Sequence, residues 1–366
     1  MNKMERVRPP SPVRDGQTAP LRSADDLLAA GFISEERRAM AVKVAEHFAI
    51  GLSRPLAALI DPNDPNDPIA RQFLPDVAEL NVLPEERGDP IGDVARSPIE
   101  GIVHRYPDRL LLKLIHVCPV YCRFCFRREM VGPGQGTQLS AEALDAAFGY
   151  IAQHREIFEV ILTGGDPFLV APRRLAEIAA RLATIDHVKI LRIHTRVPVA
   201  EPSLVTAELV DALRIARQTV YVALHANHPR ELTAEARAAC DRLIDAGIPM
   251  LSQSVLLRGV NDDVETLAAL MRSFVAARIK PYYLHHPDLA RGTSHFRLSI
   301  AEGQALVQQL RGRLSGLCQP QYVLDIPGGF GKVPLGPSFV TNEGELFQAE
   351  DFRGESHGYP PLVHRP

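Results

Sequence analysis

From residue 109 onward the chain alternates short apolar runs with amphipathic stretches, and this rhythm narrows the available folds more than any other feature. RLLLKLI (109–115), VILTGG (160–165), VKILRIHT (188–195), TVYVALHA (219–226), PMLSQSVLL (249–257) and PYYLHH (281–286) read as six strands. Helical patterns lie between them near 140–153, 173–184, 204–216, 233–246, 263–277 and 299–315. Strands spaced by helices in this way form a parallel sheet with right-handed crossovers. Such units fit either a partial (β/α)6 TIM-like barrel or an open doubly wound sheet. The placing of chemistry favours the barrel, because functional residues of parallel sheets gather beyond the carboxyl ends of the strands. Cys118, Gly164, His194, His225, Gln253 and His286 all fall at or just after expected strand ends.

Ahead of the barrel, residues 24–60 carry helical periodicity, with Ser23 or Asp25 as a candidate first cap. DPNDPNDP (61–68) repeats a turn tripeptide and marks a boundary. The expected division is a flexible tail over 1–22, a helical extension over 23–100, the barrel over 101–320 and a C-terminal segment over 321–366. In that last segment a seventh apolar run, YVLDIP (322–327), leads into a glycine-rich turn. The tail carries Lys3, Arg6, Arg8, Arg14 and Arg22 among four prolines but no apolar core, so it resembles neither a signal peptide nor a clean amphipathic presequence. No apolar run approaches the ~18 residues needed to cross a bilayer. A formal net charge of -3 gives no reason to expect a nucleic-acid partner. The chain reads as cytoplasmic.

Five cysteines is an odd number, and CPVYCRFC puts Cys118, Cys122 and Cys125 within eight residues. That is a poor disulfide framework and a plausible metal-ligand set for a reducing compartment. Thiolates are soft ligands that suit iron–sulfur clusters, which most often use four of them. Three leave one iron free to chelate a small molecule, much as a catalytic zinc keeps an open position. The plainer readings are a zinc site completed by a distant residue, or three unrelated buried thiols. Cys240, in a helical pattern, and Cys318, just after one, have core-like surroundings.

The spacing C-x3-C-x2-C after the first barrel strand resembles the signature of the radical S-adenosylmethionine (SAM) superfamily. The resemblance implies a partial barrel of radical SAM type and a [4Fe-4S] cluster on Cys118, Cys122 and Cys125, with SAM bound to the open iron. It also implies cleavage of SAM to a 5′-deoxyadenosyl radical, and hence an electron donor such as flavodoxin or ferredoxin. LTGGDP (162–167) resembles the family's glycine motif, which sets Gly164, Gly165 and Asp166 against SAM. Taken alone, glycines at a strand end are more often turn punctuation.

HRYPDRLLL (104–112), CRFCFRRE (122–129), RIHTRVPV (192–199), LSQSVLLRGVND (251–262), PYYLHHPDLARGTSHFR (281–297) and DIPGGFGKVP (325–334) narrow the likeness. In order and spacing they resemble lysine 2,3-aminomutases over roughly residues 60–345. Those isomerases combine pyridoxal 5′-phosphate (PLP) with the radical machinery and move an amino group from the α to the β carbon. The resemblance implies that the C-terminal segment carries the PLP-binding loop and that Lys332 is the Schiff-base lysine, a bond its amine can form with a carbonyl cofactor. A nucleotide P-loop would need glycine at 326 and Ser or Thr after the lysine, where the chain has Ile326 and Val333. Arg105, Tyr106 and Arg109 correspond to positions near PLP, and guanidinium groups match phosphate through paired hydrogen bonds. His225 and Gln253 correspond to positions lining the cofactor pocket.

Arg127 corresponds to the arginine that holds the substrate carboxylate. Asp288 and Asp325 correspond to the aspartates that hold the side-chain ammonium of lysine. A desolvated ammonium needs compensating negative charge, and two carboxylates would reject a glutamate side chain. The expected function is conversion of L-lysine to β-lysine. A relative that makes β-lysine for elongation factor P shares the CRFCFRR and YYLHH stretches, whereas PGGFGK after Asp325 leans toward the free-lysine enzymes. A PLP-independent radical SAM enzyme, such as one that modifies a protein, and a non-catalytic iron–sulfur protein are the other classes left open. The chain departs from the long family forms in having no cysteine after Cys318 and in carrying Asp263 where one zinc ligand is expected. That puts zinc, and the long-form mode of subunit assembly, in question; a homo-oligomer is still expected. His285 stands where many lysine enzymes have tyrosine.

Overall fold

A computed structural model of the 366-residue chain describes residues 19–132, 138–343 and 346–359. Of the expected tail, residues 1–18 lie outside the described residues, whereas Leu21 is buried and its backbone pairs with Leu52. The extension contains four short helices, α1 (Ala24–Ala29), α2 (Glu35–Ala45), α3 (Arg54–Ala57) and α4 (Pro68–Phe73). Ser23 caps α1 in a reciprocal box with Asp26, and Asp67 caps α4 with Pro68 at its first turn. Within DPNDPNDP, the carboxylates of Asp61 and Asp64 each accept from the backbone N–H two residues on, which makes the repeat a pair of side-chain-closed turns.

Nine strands form one sheet in simple chain order. They are β1 (Ile102–Tyr106), β2 (Arg109–Ile115), β3 (Glu159–Gly164), β4 (Ile190–Thr195), β5 (Thr219–His225), β6 (Met250–Val255), β7 (Ile279–His285), β8 (Gln321–Asp325) and β9 (Lys332–Pro334). β2 to β8 run parallel, while β1 and β9 are antiparallel to their neighbours at the two edges. The crossovers carry α5 (Ala141–Gln153), α6 (Pro172–Leu182), α7 (Val197–Ala200), α8 (Ala207–Arg214), α9 (Ala234–Asp245), α10 (Val264–Ala276) and α11 (Ile300–Leu310). Leu144, Ile178, Leu213, Leu243 and Leu270 of these helices share one buried core with Leu112, Val160, Leu191 and Val222 of the strands. A second core joins the extension's Leu27, Leu56 and Phe73 to Val120 beside the cysteines.

The sheet curls until its edges face one another. The Tyr106 hydroxyl at the end of β1 accepts from the Lys332 backbone N–H of β9 at 2.6 Å, and an Arg105 guanidinium nitrogen lies 3.5 Å from the Asp325 carboxylate at the end of β8. Among the described residues no backbone pairing joins β1 to β9, so the result is a partial barrel with a seam closed by side chains. A separate antiparallel sheet of β10 (Val340–Glu343), β11 (Leu346–Glu350) and β12 (Ser356–Tyr359) follows. No helix among the described residues is long and apolar enough to cross a membrane.

Candidate active site

A cavity of about 460 Å³ opens at the carboxyl ends of the strands, and every residue given a cluster, cofactor or substrate role above lines it. The three cysteines sit on the long loop after β2, unpaired with one another. That loop is held mainly from the extension. The Tyr121 N–H donates to Gly51 O at 2.9 Å and the Arg123 N–H to Gln72 O at 2.8 Å. Glu79, fully buried, accepts from Arg123 Nε and Nη2 at 3.0 and 2.6 Å and also from Arg128, so the arginines on either side of Cys125 end on one carboxylate.

Gly164 and Gly165 lie where the end of β3 packs on the chain leading to Cys118. A Cβ on either would collide with a backbone carbonyl oxygen, that of Ile115 or of Val117. The Asp166 carboxylate accepts from Thr195 Oγ1 and the Arg196 N–H at 2.7 Å, the Phe168 N–H at 3.0 Å and the Val197 N–H at 3.2 Å. It ties the ends of β3 and β4 together beneath the cysteine loop. Burial pushes all three thiols up, Cys122 to about 12, and for Cys118 the charges of Asp166 and the other two cysteines add to the effect. Arg196 pulls the other way. Three thiolates gathered here therefore need a cation among them, and soft sulfur donors suit iron.

At the seam, where β8 ends, Asp325 accepts from Lys332 Nζ at 2.7 Å, with His285 Nδ1 at 3.6 Å from its other oxygen. Burial opposes ionisation of Asp325, but His285 and Lys332 outweigh it and hold the carboxyl well below the usual range. Asp288 is different. Burial and the neighbouring Asp325 push it up to about 8. Arg105 donates to Ile91 O at 2.7 Å and to Asp93 at 3.1 Å, and its buried Nε has no partner among the described residues. Arg127 donates from Nε to Asp93 at 2.9 Å and from Nη1 to Thr163 Oγ1 at 3.1 Å. The Arg109 guanidinium stacks on the Tyr106 ring at 3.7 Å. Burial pushes His225 down to about 3, which keeps that ring neutral, and Gln253 Nε2 lies 3.4 Å from His194 Nε2. Cationic groups, one with an orphaned donor, beside a lysine on a glycine loop suit a phosphate-bearing carbonyl cofactor.

Sequence reasoning missed Asp93, which belongs to the extension and lacks any motif of its own. It also missed Arg192 and Glu159, an ion pair at 3.0 Å in the wall of the same cavity. Their only signal is a pair of charges inside otherwise apolar strands. Asp263 caps α10, accepting from the Thr266 N–H at 2.8 Å. Its carboxylate thus has a structural task of its own.

Residues 112–271 match the radical SAM superfamily. The chain is 43% identical over 286 residues to the L-lysine 2,3-aminomutase of Clostridium subterminale, a match covering 78% of this chain and 68% of that protein. It is 38% identical over 323 residues to the L-lysine 2,3-aminomutase of Fusobacterium nucleatum, covering 88% and 76%. With the glutamate 2,3-aminomutase of Clostridioides difficile it shares 36% identity over 302 residues, covering 82% and 71%.

Proposed function

Since the chain belongs to the lysine 2,3-aminomutase family of the radical SAM superfamily, we propose that it is an isomerase that uses SAM and PLP to convert L-lysine into β-lysine. The observation that carries lysine over glutamate is the acidic wall. Asp288 and Asp325 line the cavity together, and the ammonium of Lys332 already lies 2.7 Å from one of them. A glutamate side chain would add a third carboxylate to this corner, whereas an ammonium supplies the missing positive charge.

In this reading Cys118, Cys122 and Cys125 hold the [4Fe-4S] cluster, with Gly164, Gly165 and Asp166 shaping the adjoining wall for SAM. Lys332 anchors PLP, Arg105, Tyr106 and Arg109 face its phosphate, and His225 and Gln253 line its pocket. Arg127 takes the substrate carboxylate, and Asp288 and Asp325 take the substrate ammonium. When bound, the cluster and SAM supply a radical able to take a hydrogen atom, and PLP supplies an electron sink. The chain itself binds and orients: two charged subsites at opposite ends of lysine fix the carbon between them. Asp325 also holds the Lys332 side chain in place through the 2.7 Å contact to its Nζ. A donor such as flavodoxin or ferredoxin and a homo-oligomeric state belong to the same reading.

Anaerobic incubation with L-lysine, SAM, PLP and a reductant, followed by amino-acid analysis, tests it. β-Lysine is the expected product. Turnover of glutamate with no turnover of lysine would overturn the assignment.

A further inference from the structure

The segment 89–97 belongs to the extension, reaches the cavity at Ile91 and has no part in the reading above. Its backbone is locked in place. The Asp89 carboxylate accepts from the N–H groups of Asp93 and Val94 at 2.8 Å, and Ser97 Oγ donates to Asp93 O at 2.8 Å. Gly92, at φ +69°, packs so closely on the loop before Lys332 that a Cβ would overlap the Gly328 carbonyl carbon. From this platform the Asp93 carboxylate, 1% exposed, reaches two guanidiniums. Oδ1 accepts from Arg105 Nη2 at 3.1 Å, and Oδ2 accepts from Arg127 Nε at 2.9 Å. Burial works against its ionisation, but Arg127, Arg105 and Lys113 outweigh that and keep its pKa below the ordinary range.

We propose that Asp93 is a positioning residue: its one carboxylate fixes Arg105 and Arg127 together and so sets the distance between the cofactor-phosphate and substrate-carboxylate subsites. The proposal rests on the roles given to those two arginines above. A guanidinium is a planar fork, and a partner on one edge fixes the direction of its remaining donors. Arg127 is held at Nε and Nη2 by Asp93, each at 2.9 Å, and at Nη1 by Thr163. Without Asp93 the two like charges, with Lys113 nearby, repel each other and lose their common reference. The alternative role is attenuation, in which Asp93 merely weakens the positive potential. The two roles predict opposite signs, because a purely attenuating carboxylate would tighten anion binding when removed.

The test uses the cluster-loaded enzyme and the isosteric Asp93→Asn. Positioning predicts a KM for lysine raised about tenfold with kcat within about threefold, the pattern of lost ground-state binding. PLP binding, followed by absorbance titration, should weaken as well, while iron content stays at the wild-type level. Asp93→Ala leaves room for a small carboxylate, so added formate should recover part of its affinity for lysine and PLP. Unchanged or tighter binding in Asp93→Asn, or no rescue of Asp93→Ala by formate, overturns the proposal. If wild-type protein binds neither PLP nor lysine, the proposed function falls and this proposal with it. If wild type binds both and Asp93→Asn matches it, this proposal alone falls.

Discussion

Asp288 carries the clearest pH dependence in the site. Its pKa, pushed up to about 8 by burial and by Asp325, lies far above the value of about 3.9 that an aspartate has in an unfolded chain. The folded protein therefore holds a proton that the unfolded chain has released. Its stabilising effect is complete below about pH 4 and is lost as pH rises toward 8. Substrate-free protein should accordingly lose thermal stability between about pH 5 and pH 8, and Asp288→Asn should flatten that slope. Lysine works in the other direction, because its ammonium favours the ionised carboxylate, so affinity should rise over the same range. Thermal scans with and without lysine check both, and parallel wild-type and Asp288→Asn profiles would remove Asp288 from the ammonium subsite. Removing one partner of a buried ion pair typically costs about 3–5 kcal/mol, so Asp288→Asn should lose lysine turnover while keeping cluster and PLP spectra. At Lys332, borohydride reduction of the PLP-loaded protein should fix PLP to the peptide containing that residue. Labelling of another lysine would move the anchor.

At the scale of elements, the cysteine loop depends on the extension as much as on its own thiols. Cys122→Ala should fail to retain wild-type iron after anaerobic reconstitution. Glu79→Gln should also lower iron content, though it touches no thiol, because it leaves Arg123 and Arg128 without their shared carboxylate at a cost of about 3–5 kcal/mol. Iron content at the wild-type level in Glu79→Gln would mean that the loop holds its shape unaided. The same loop shows what a reader of the sequence can and cannot see. The cysteines are legible because their spacing is local, and β2 to β8 are legible because apolar runs alternate with helical ones. β1 and β9 are not, since IVHRY has only two apolar residues before its polar end and KVP is three residues long, and both become strands by pairing with the edges of the finished sheet. Glu79 and Asp93 escape for a related reason: each finds its arginines only after the extension has folded back over the barrel. Among the candidate residues, the glycines and Asp166 are legible by motif, but their packing against Ile115, Val117 and the start of α7 is not.

Across the whole molecule, buried polar contacts cross between the segment expected as an extension over 23–100 and the barrel expected over 101–320, whose sheet continues through β8 and β9 to Pro334. Ser53 Oγ donates to Ala200 O at 2.6 Å. Arg230 donates to Asp67 at 2.8 Å, and Gln72 bonds both Asn227 and Glu231. Glu86 pairs with Arg297, and Glu79 and Asp93 hold the arginines around the site. Ser53, Asp67, Gln72, Glu79 and Asp93 are each no more than 1% exposed, so separating the two parts would leave all of these groups needing water. Each buried donor or acceptor left unpaired costs about 1–3 kcal/mol, and several such losses together are comparable with the whole stability of a domain, about 5–15 kcal/mol. The two parts should therefore unfold as one. In anaerobic urea titrations of the iron-loaded protein, loss of helix by far-UV circular dichroism and loss of the cluster's visible absorbance should share one midpoint. A chain beginning at residue 99 should retain neither a cooperative transition nor bound iron. Two separated midpoints, or a truncated barrel that loads iron normally, would show that the extension is an accessory to the site rather than one of its walls.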